Sequence, residues 1–137
     1  MTKAKILEIY DYVNFTGYLA RKNFMAILSN SDVCVSPDPP NEYNDKSTMI
    51  KIMEYMALSK PIVQFDCKEG RFSAQKASLY AKNGSIEDFA EKILWFLDHP
   101  VEREKMGEFG RNRVFQELAW EYSVPNLLRA YEKALNS

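Results

Sequence analysis

The chain has 137 residues, and what it lacks already excludes several classes of protein. Its five glycines include no GxGxxG, so the phosphate-cradling turn of a dinucleotide-binding oxidoreductase is missing. Cys34 and Cys67 are the two cysteines and do not have CxxC spacing, and His99 is the one histidine. They can form neither a disulfide framework nor a zinc cluster, and a reducing cytosol suits such a chain. No apolar run approaches the roughly 18 residues that a bilayer-spanning helix needs. The opening MTKAKILEIYDY scatters charge through its length and has no apolar stretch of the signal-peptide kind. With 18 basic and 19 acidic residues the net charge is −1, so no basic field recommends nucleic acid as a partner.

The composition that remains is that of one ordinary globular domain, 46% hydrophobic and 27% charged. A chain of this size buries roughly two-thirds of its unfolded surface. The short β-branched and aromatic run Val13–Thr16, stopped by Gly17, predicts a buried strand and its turn. Residues 21–29 place Phe24, Ile27 and Leu28 on one helical face, with Asn30 as a stop. VCVS (33–36) reads as a second strand and the proline-rich 36–45 as a loop. Residues 47–58 read as a helix of good helix formers, and Pro61 opens a strand, IVQF, at 62–65.

Residues 66–77 look polar and irregular around Gly70, and SLYA (78–81) predicts a further strand. Ser85 with Asp88 resembles a capping box opening an amphipathic helix that ends at Asp98-His99-Pro100. His99 at that junction reads as a cap, not a catalyst. Pro100 starts another helix, bent near Gly107 and Gly110. The last helix, from about Glu121, carries Leu127, Leu128, Tyr131 and Leu135 on one face, kinked or delayed by Pro125. Strands alternating with helices predict an α/β fold, a Rossmann-like three-layer domain around a short parallel sheet of about four strands.

In open α/β sheets ligands bind beyond the carboxyl ends of the strands. The loop leaving Ser36 feeds a helix whose first turn is a ready anion site, where Ser47 and Thr48 can be N-caps or hydroxyl donors to a phosphate. Ser47, Lys51, Glu54 and Leu58 form one stripe of an otherwise apolar helix. Lys51 and Glu54 could pair at i,i+3, but lysine ahead of glutamate is the weaker order, worth only about 0.2–0.5 kcal/mol. A ligand hydroxyl is the other candidate partner for Glu54. It stands roughly 10 Å along the axis from Ser47, a reach that suits a phosphate at one end of a nucleotide and a diol further along.

The run STMIKIMEYMALSKPIV resembles the donor-site signature of retaining glycosyltransferases of family 4, the group 1 transferases. VNFTGYL, SDVCVSP, EGRFSA, WFLDHPVEREKMGEFGRNRV and LAWEYSVPNLLRAYEKAL are similar to that family in the same order, which covers Val13 to Leu135. The resemblance implies half of a GT-B fold. Residues 1–137 would form a single domain, most of the C-terminal nucleotide-sugar-binding domain, with the N-terminal acceptor domain absent and the fragment inactive alone. It implies that Glu54 holds the ribose hydroxyls and that Asn44 to Thr48, Lys46 included, approach the sugar and pyrophosphate. Lys51 lies on the same stripe, and Gly17 and Tyr18 match a turn near the base. No residue is singled out as catalytic.

The family also implies a nucleotide-diphosphate sugar as substrate, no cofactor and no bound metal. It points to a glycan or glycolipid acceptor of cell-surface polysaccharide biosynthesis, and to a cytoplasmic enzyme with peripheral attachment at the inner membrane face left open. A cut sheet edge would be free to pair in a homodimer.

Three departures from the pattern stand out. Lys46 occupies the position, eight residues before Glu54, of the first glutamate of the family's pair; Glu42 and Asp45 are nearby carboxylates. Ser59 replaces the glycine of GKP, where a left-handed backbone costs a non-glycine about 1 kcal/mol. The opening twelve residues match no phosphate-gripping strand and helix. The alternative from another class is a receiver-like or flavodoxin-like binding or interaction module. A receiver needs an acidic pair at its first strand and a lysine after a late one, whereas Asp38 and Asp66 stand alone and Lys60 precedes its strand.

Overall fold

The computed structural model describes residues 3–136. Among these, three strands form one parallel sheet in the order β1 (Cys34–Ser36), β2 (Ile62–Phe65), β3 (Ser78–Ala81). Cys34 pairs with Ile62, and Ile62 in turn with Ser78. Seven α-helices accompany them: α1 (Lys3–Ile6), α2 (Arg21–Asn30), α3 (Ile50–Ala57), α4 (Lys68–Ala74), α5 (Ile86–Asp98), α6 (Pro100–Arg113) and α7 (Trp120–Leu135). The α/β class therefore stands, with three strands where about four were expected. Val13–Thr16 lies exposed and outside the sheet.

The central strand shows why both faces must be covered. Successive side chains of a strand point to opposite faces. Ile62 packs with Ile52, Met56, Ala74 and Ala77 on one side, and Val63 with Ala81, Phe89 and Phe96 on the other. β2 is accordingly buried from Ile62 through Gln64, as parallel strands covered on both faces are. Helix α5 supplies the second face, and its start follows the sequence: the Ser85 hydroxyl accepts from the Asp88 N–H at 3.1 Å. The reciprocal half of the box is replaced, because the Asp88 carboxylate takes the Lys82 N–H instead.

Helix α3 is shorter than the expected 47–58, but its end fits. Ser59 adopts φ 58°, its N–H donates to Met56 O at 2.9 Å, and the Lys60 N–H donates to Tyr55 O at 2.9 Å. That pair of bonds is a Schellman turn made without glycine.

The glycines of α6 do not interrupt it. A Cβ at Gly107 would stand 2.8 Å from the Ser59 carbonyl carbon and nearer still to its oxygen, and one at Gly110 would stand 2.9 Å from the Ala77 Cβ. Both permit close packing, and the helix runs unbroken to Arg113, followed by a π turn at Val114–Leu118. His99 caps the α5–α6 junction, stacked on Trp95 with centroids 4.2 Å apart. Pro125 lies inside α7, which starts at Trp120 without delay.

The segment expected to be irregular, 66–77, holds α4. The Gln75 N–H closes the last turn on Arg71 O, but neither end has a side-chain cap from a neighbour in sequence. Asp45 accepts the Lys68 N–H at 3.0 Å at the start, and buried Arg113 donates to the carbonyls of Phe72 (3.1 Å) and Ser73 (3.0 Å) at the end.

Candidate functional site

A small, partly enclosed cleft opens beyond the carboxyl ends of β1 and β2. Ser36 and Gln64 form its floor, Asn44, Ser47 and Met49 of the loop after β1 form one wall, and Cys67, just before α4, and Gly70 of α4 form the other. Ser36 and Gln64 are both buried, so this part of the floor is polar inside a dry environment. Gly70 leaves room for that amide: a Cβ would stand 3.2 Å from the Gln64 amide carbon and closer to its oxygen.

Asp38 sits at the mouth. It accepts from the Ser36 hydroxyl and pairs with Lys51 at 2.5 Å. Burial pushes its carboxyl up, but the hydrogen bonds from Lys51 and Ser36 and the Lys51 charge outweigh that and hold it below the usual carboxylate value. The Cys67 thiol is pushed up, chiefly by burial and then by the charges of Asp45, Asp38 and Asp66, so it stays protonated and inert.

The residues singled out from the sequence separate into three places. Asn44 and Ser47 line the cleft, with Asn44 held by its amide to Pro39 O at 2.7 Å. Lys46 lies on the outer rim, paired with Glu42 at 2.6 Å. Ser47 and Thr48 are not N-caps: Met49 precedes α3 without a side-chain cap, the Ser47 hydroxyl donates to Tyr43 O at 2.7 Å, and the Thr48 hydroxyl donates to Glu69 at 2.7 Å. Ser47 and Met49 are extended, between a 3-10 turn over Asn44–Lys46 and the start of α3, so Ser47 also leaves the expected stripe.

Lys51 and Glu54 do not pair with each other. Lys51 goes to Asp38, and Glu54 meets Arg21 of α2 at 3.5 Å. Gly17, at φ 62°, makes the expected turn, and Tyr18 is fully exposed in the segment before α2. Of the two carboxylates near the substituted position 46, Glu42 pairs with Lys46 and Asp45 with Lys68. Sequence reading missed Ser36, Asp38 and Gln64 as cleft residues. Their only signal was position, at or just past the ends of β1 and β2.

A family model for glycosyl transferases group 1 matches residues 1–99. The chain belongs to that family. Its fold matches a sucrose-phosphate synthase from Thermosynechococcus elongatus with a TM-score of 0.79, at 20% identity over 97% of this chain. The chain spans 33% of the length of that protein. No curated protein matches. The architecture is that of a GT-B Rossmann-like domain. Among the described residues no helix of this group 1 chain is long and apolar enough to cross a membrane.

Proposed function

We propose that this chain binds the nucleotide-sugar donor of a retaining glycosyltransferase, as most of the C-terminal half of a two-domain enzyme. The acceptor, a cell-surface glycan or glycolipid, is held by the other half. The observation that carries this reading is a cleft at the carboxyl ends of β1 and β2, with Ser36, Asn44, Ser47 and Gln64 in its lining, in a group 1 chain. Its hydroxyl and amide groups suit a polyhydroxylated ring, and Asp38 adds an acceptor.

Glu54 accepts from the ribose 2′- and 3′-hydroxyls, taking them in exchange for Arg21. That exchange is inexpensive because the Arg21 side chain is 77% exposed and a surface ion pair contributes about 0–1 kcal/mol. Asn44, Ser47 and the first N–H groups of α3 face the diphosphate, with Lys46, Thr48 and Lys51 alongside, while Gly17 and Tyr18 stand near the base. In the reaction the bond from the anomeric carbon to the diphosphate oxygen breaks, and the acceptor hydroxyl bonds to the same face of the sugar. Helix-end N–H groups and cations stabilise the departing diphosphate.

Ligand-observed NMR with UDP, GDP and ADP, on the parent and on Glu54→Ala, tests this. Binding of one nucleotide, lost in the variant, supports the reading and names the base. Silence with all three, repeated on a chain extended at its N-terminus, would sink it.

One observation favours a second reading. Glu54 and Lys51 each already have a protein partner, as they would in an interaction module with no ligand. In that case Glu54→Ala lowers stability slightly and no nucleotide binds.

A further inference from the structure

The loop that walls the cleft is tied to α4 at two points far apart in sequence. Asp45 Oδ1 accepts the Lys68 backbone N–H at 3.0 Å, and its other oxygen lies 3.6 Å from the Lys68 ammonium. Three residues on, the Thr48 hydroxyl donates to Glu69 Oε1 at 2.7 Å. Glu69 is also within reach of the Ser73 hydroxyl, at 3.4 Å, so α4 itself braces the acceptor.

The two ties differ in kind. The Lys68 ammonium is 88% exposed, and its attraction is screened. The bond from Asp45 to the Lys68 N–H is charge-assisted and satisfies an orphan donor at a helix start, where Cys67 provides no side-chain cap.

We infer that the loop 37–49 and α4 form a single cooperative unit whose two parts order and fray together, with Asp45–Lys68 and Thr48–Glu69 as its straps. Neither part is self-sufficient. The loop has only one 3-10 turn of its own, and α4 is seven residues long, too short to hold a helix unaided. Each borrows order from the other: displacing the loop uncaps α4, and fraying α4 frees the loop. Because the two are opposite walls of the cleft, they set its width as a pair. This goes beyond the donor reading and would hold for any ligand that enters between them.

Hydrogen–deuterium exchange of the whole chain, with no nucleotide added, tests the coupling through effects that cross from one segment to the other. Asp45→Ala is expected to speed exchange of the α4 amides by about five- to tenfold, the loss of one N-cap. Glu69→Ala is expected to speed the amides of residues 41–48 by a similar factor. Asp45→Asn, which keeps the acceptor oxygen, is expected to stay within about twofold of the parent. Glu42→Ala, in the same loop but paired only locally, is expected to leave α4 unchanged.

Acceleration confined to the mutated segment would overturn the inference, as would uniform acceleration reaching β2 and β3. Asp45→Asn behaving like Asp45→Ala would overturn it too, because the bond to the Lys68 N–H would then not be what joins the walls. No nucleotide takes part, so failure of the donor reading leaves these outcomes intact.

Discussion

Replacing Gly107 by alanine sets two effects of opposite sign against each other. In the middle of an exposed helix the change stabilises by about 1 kcal/mol, because glycine has more backbone freedom to lose. In α6 the new methyl would lie 2.8 Å from the Ser59 carbonyl carbon and closer to its oxygen. That carbonyl cannot swing away. Its residue is fixed by the Schellman bonds to Met56 and Tyr55, and the neighbouring Ala57 carbonyl is gripped by Arg111 at 2.9 Å.

Relief therefore requires α6 to lift from α3, opening contacts around Met56 and Ala77, both fully buried. Overpacking of this kind costs about 1–3 kcal/mol and sits toward the upper end where backbone obstructs. Set against the propensity gain, Gly107→Ala should lower stability by about 2 kcal/mol, or roughly 6–10 °C in Tm for a domain of this size. Urea and thermal unfolding followed by circular dichroism measure both. A gain of about 1 kcal/mol would refute the reasoning, since it would mean that α6 does not lie against the Ser59 carbonyl.

Arg113→Met should cost about 2–4 kcal/mol in urea unfolding, because it leaves the Phe72 and Ser73 carbonyls without donors inside the fold. Ser59→Gly should stabilise by about 1 kcal/mol, raising the urea midpoint without changing the slope, since φ 58° carries no side-chain penalty for glycine. Asp38, through Lys51 and Ser36, and Asp66, through Arg71, are both held below the ordinary carboxylate value of 3.8. The folded state binds these protons more weakly than the unfolded chain. Their stabilisation is therefore full above that value and lost as pH falls through the folded-state values. Urea midpoints measured down the acid limb should fall less steeply in Asp38→Asn than in the parent.

What the sequence disclosed was local. IVQF as a strand, Ser85 as a cap, Pro100 as a first helical residue and the left-handed turn at Ser59 each depend on neighbours within a few positions, and each is found where periodicity and turn chemistry put it. What it hid was long-range. Helix α4 was missed because Gly70 and a polar composition argue against a helix, while the groups that hold it lie at Asp45 and Arg113. Val13–Thr16 has the composition of a strand but no partner strand beside it.

The candidate site divides along the same line. The polar stripe of α3 pointed to Glu54 and Lys51, yet their partners, Arg21 and Asp38, come from other elements and could not be paired by spacing. Ser47 and Thr48 lie between the Asn44–Lys46 turn and α3, their hydroxyls taken by Tyr43 O and Glu69.

The dependence of α4 on remote caps also bears on how the chain acquires its structure. A seven-residue helix gains too few internal bonds to offset the cost of nucleation, so it waits for its ends to be satisfied from outside. One end needs a residue 23 positions earlier, and the other a residue 40 positions later. Closing loops of that length is slow compared with winding a helix whose caps are its own neighbours, as α5 does at Ser85. During synthesis the wall of the cleft cannot be completed when its own residues emerge. It must wait until Arg113 has been added and α6 has docked, which makes α4 the late-forming part of a sheet whose strands are already spelled out.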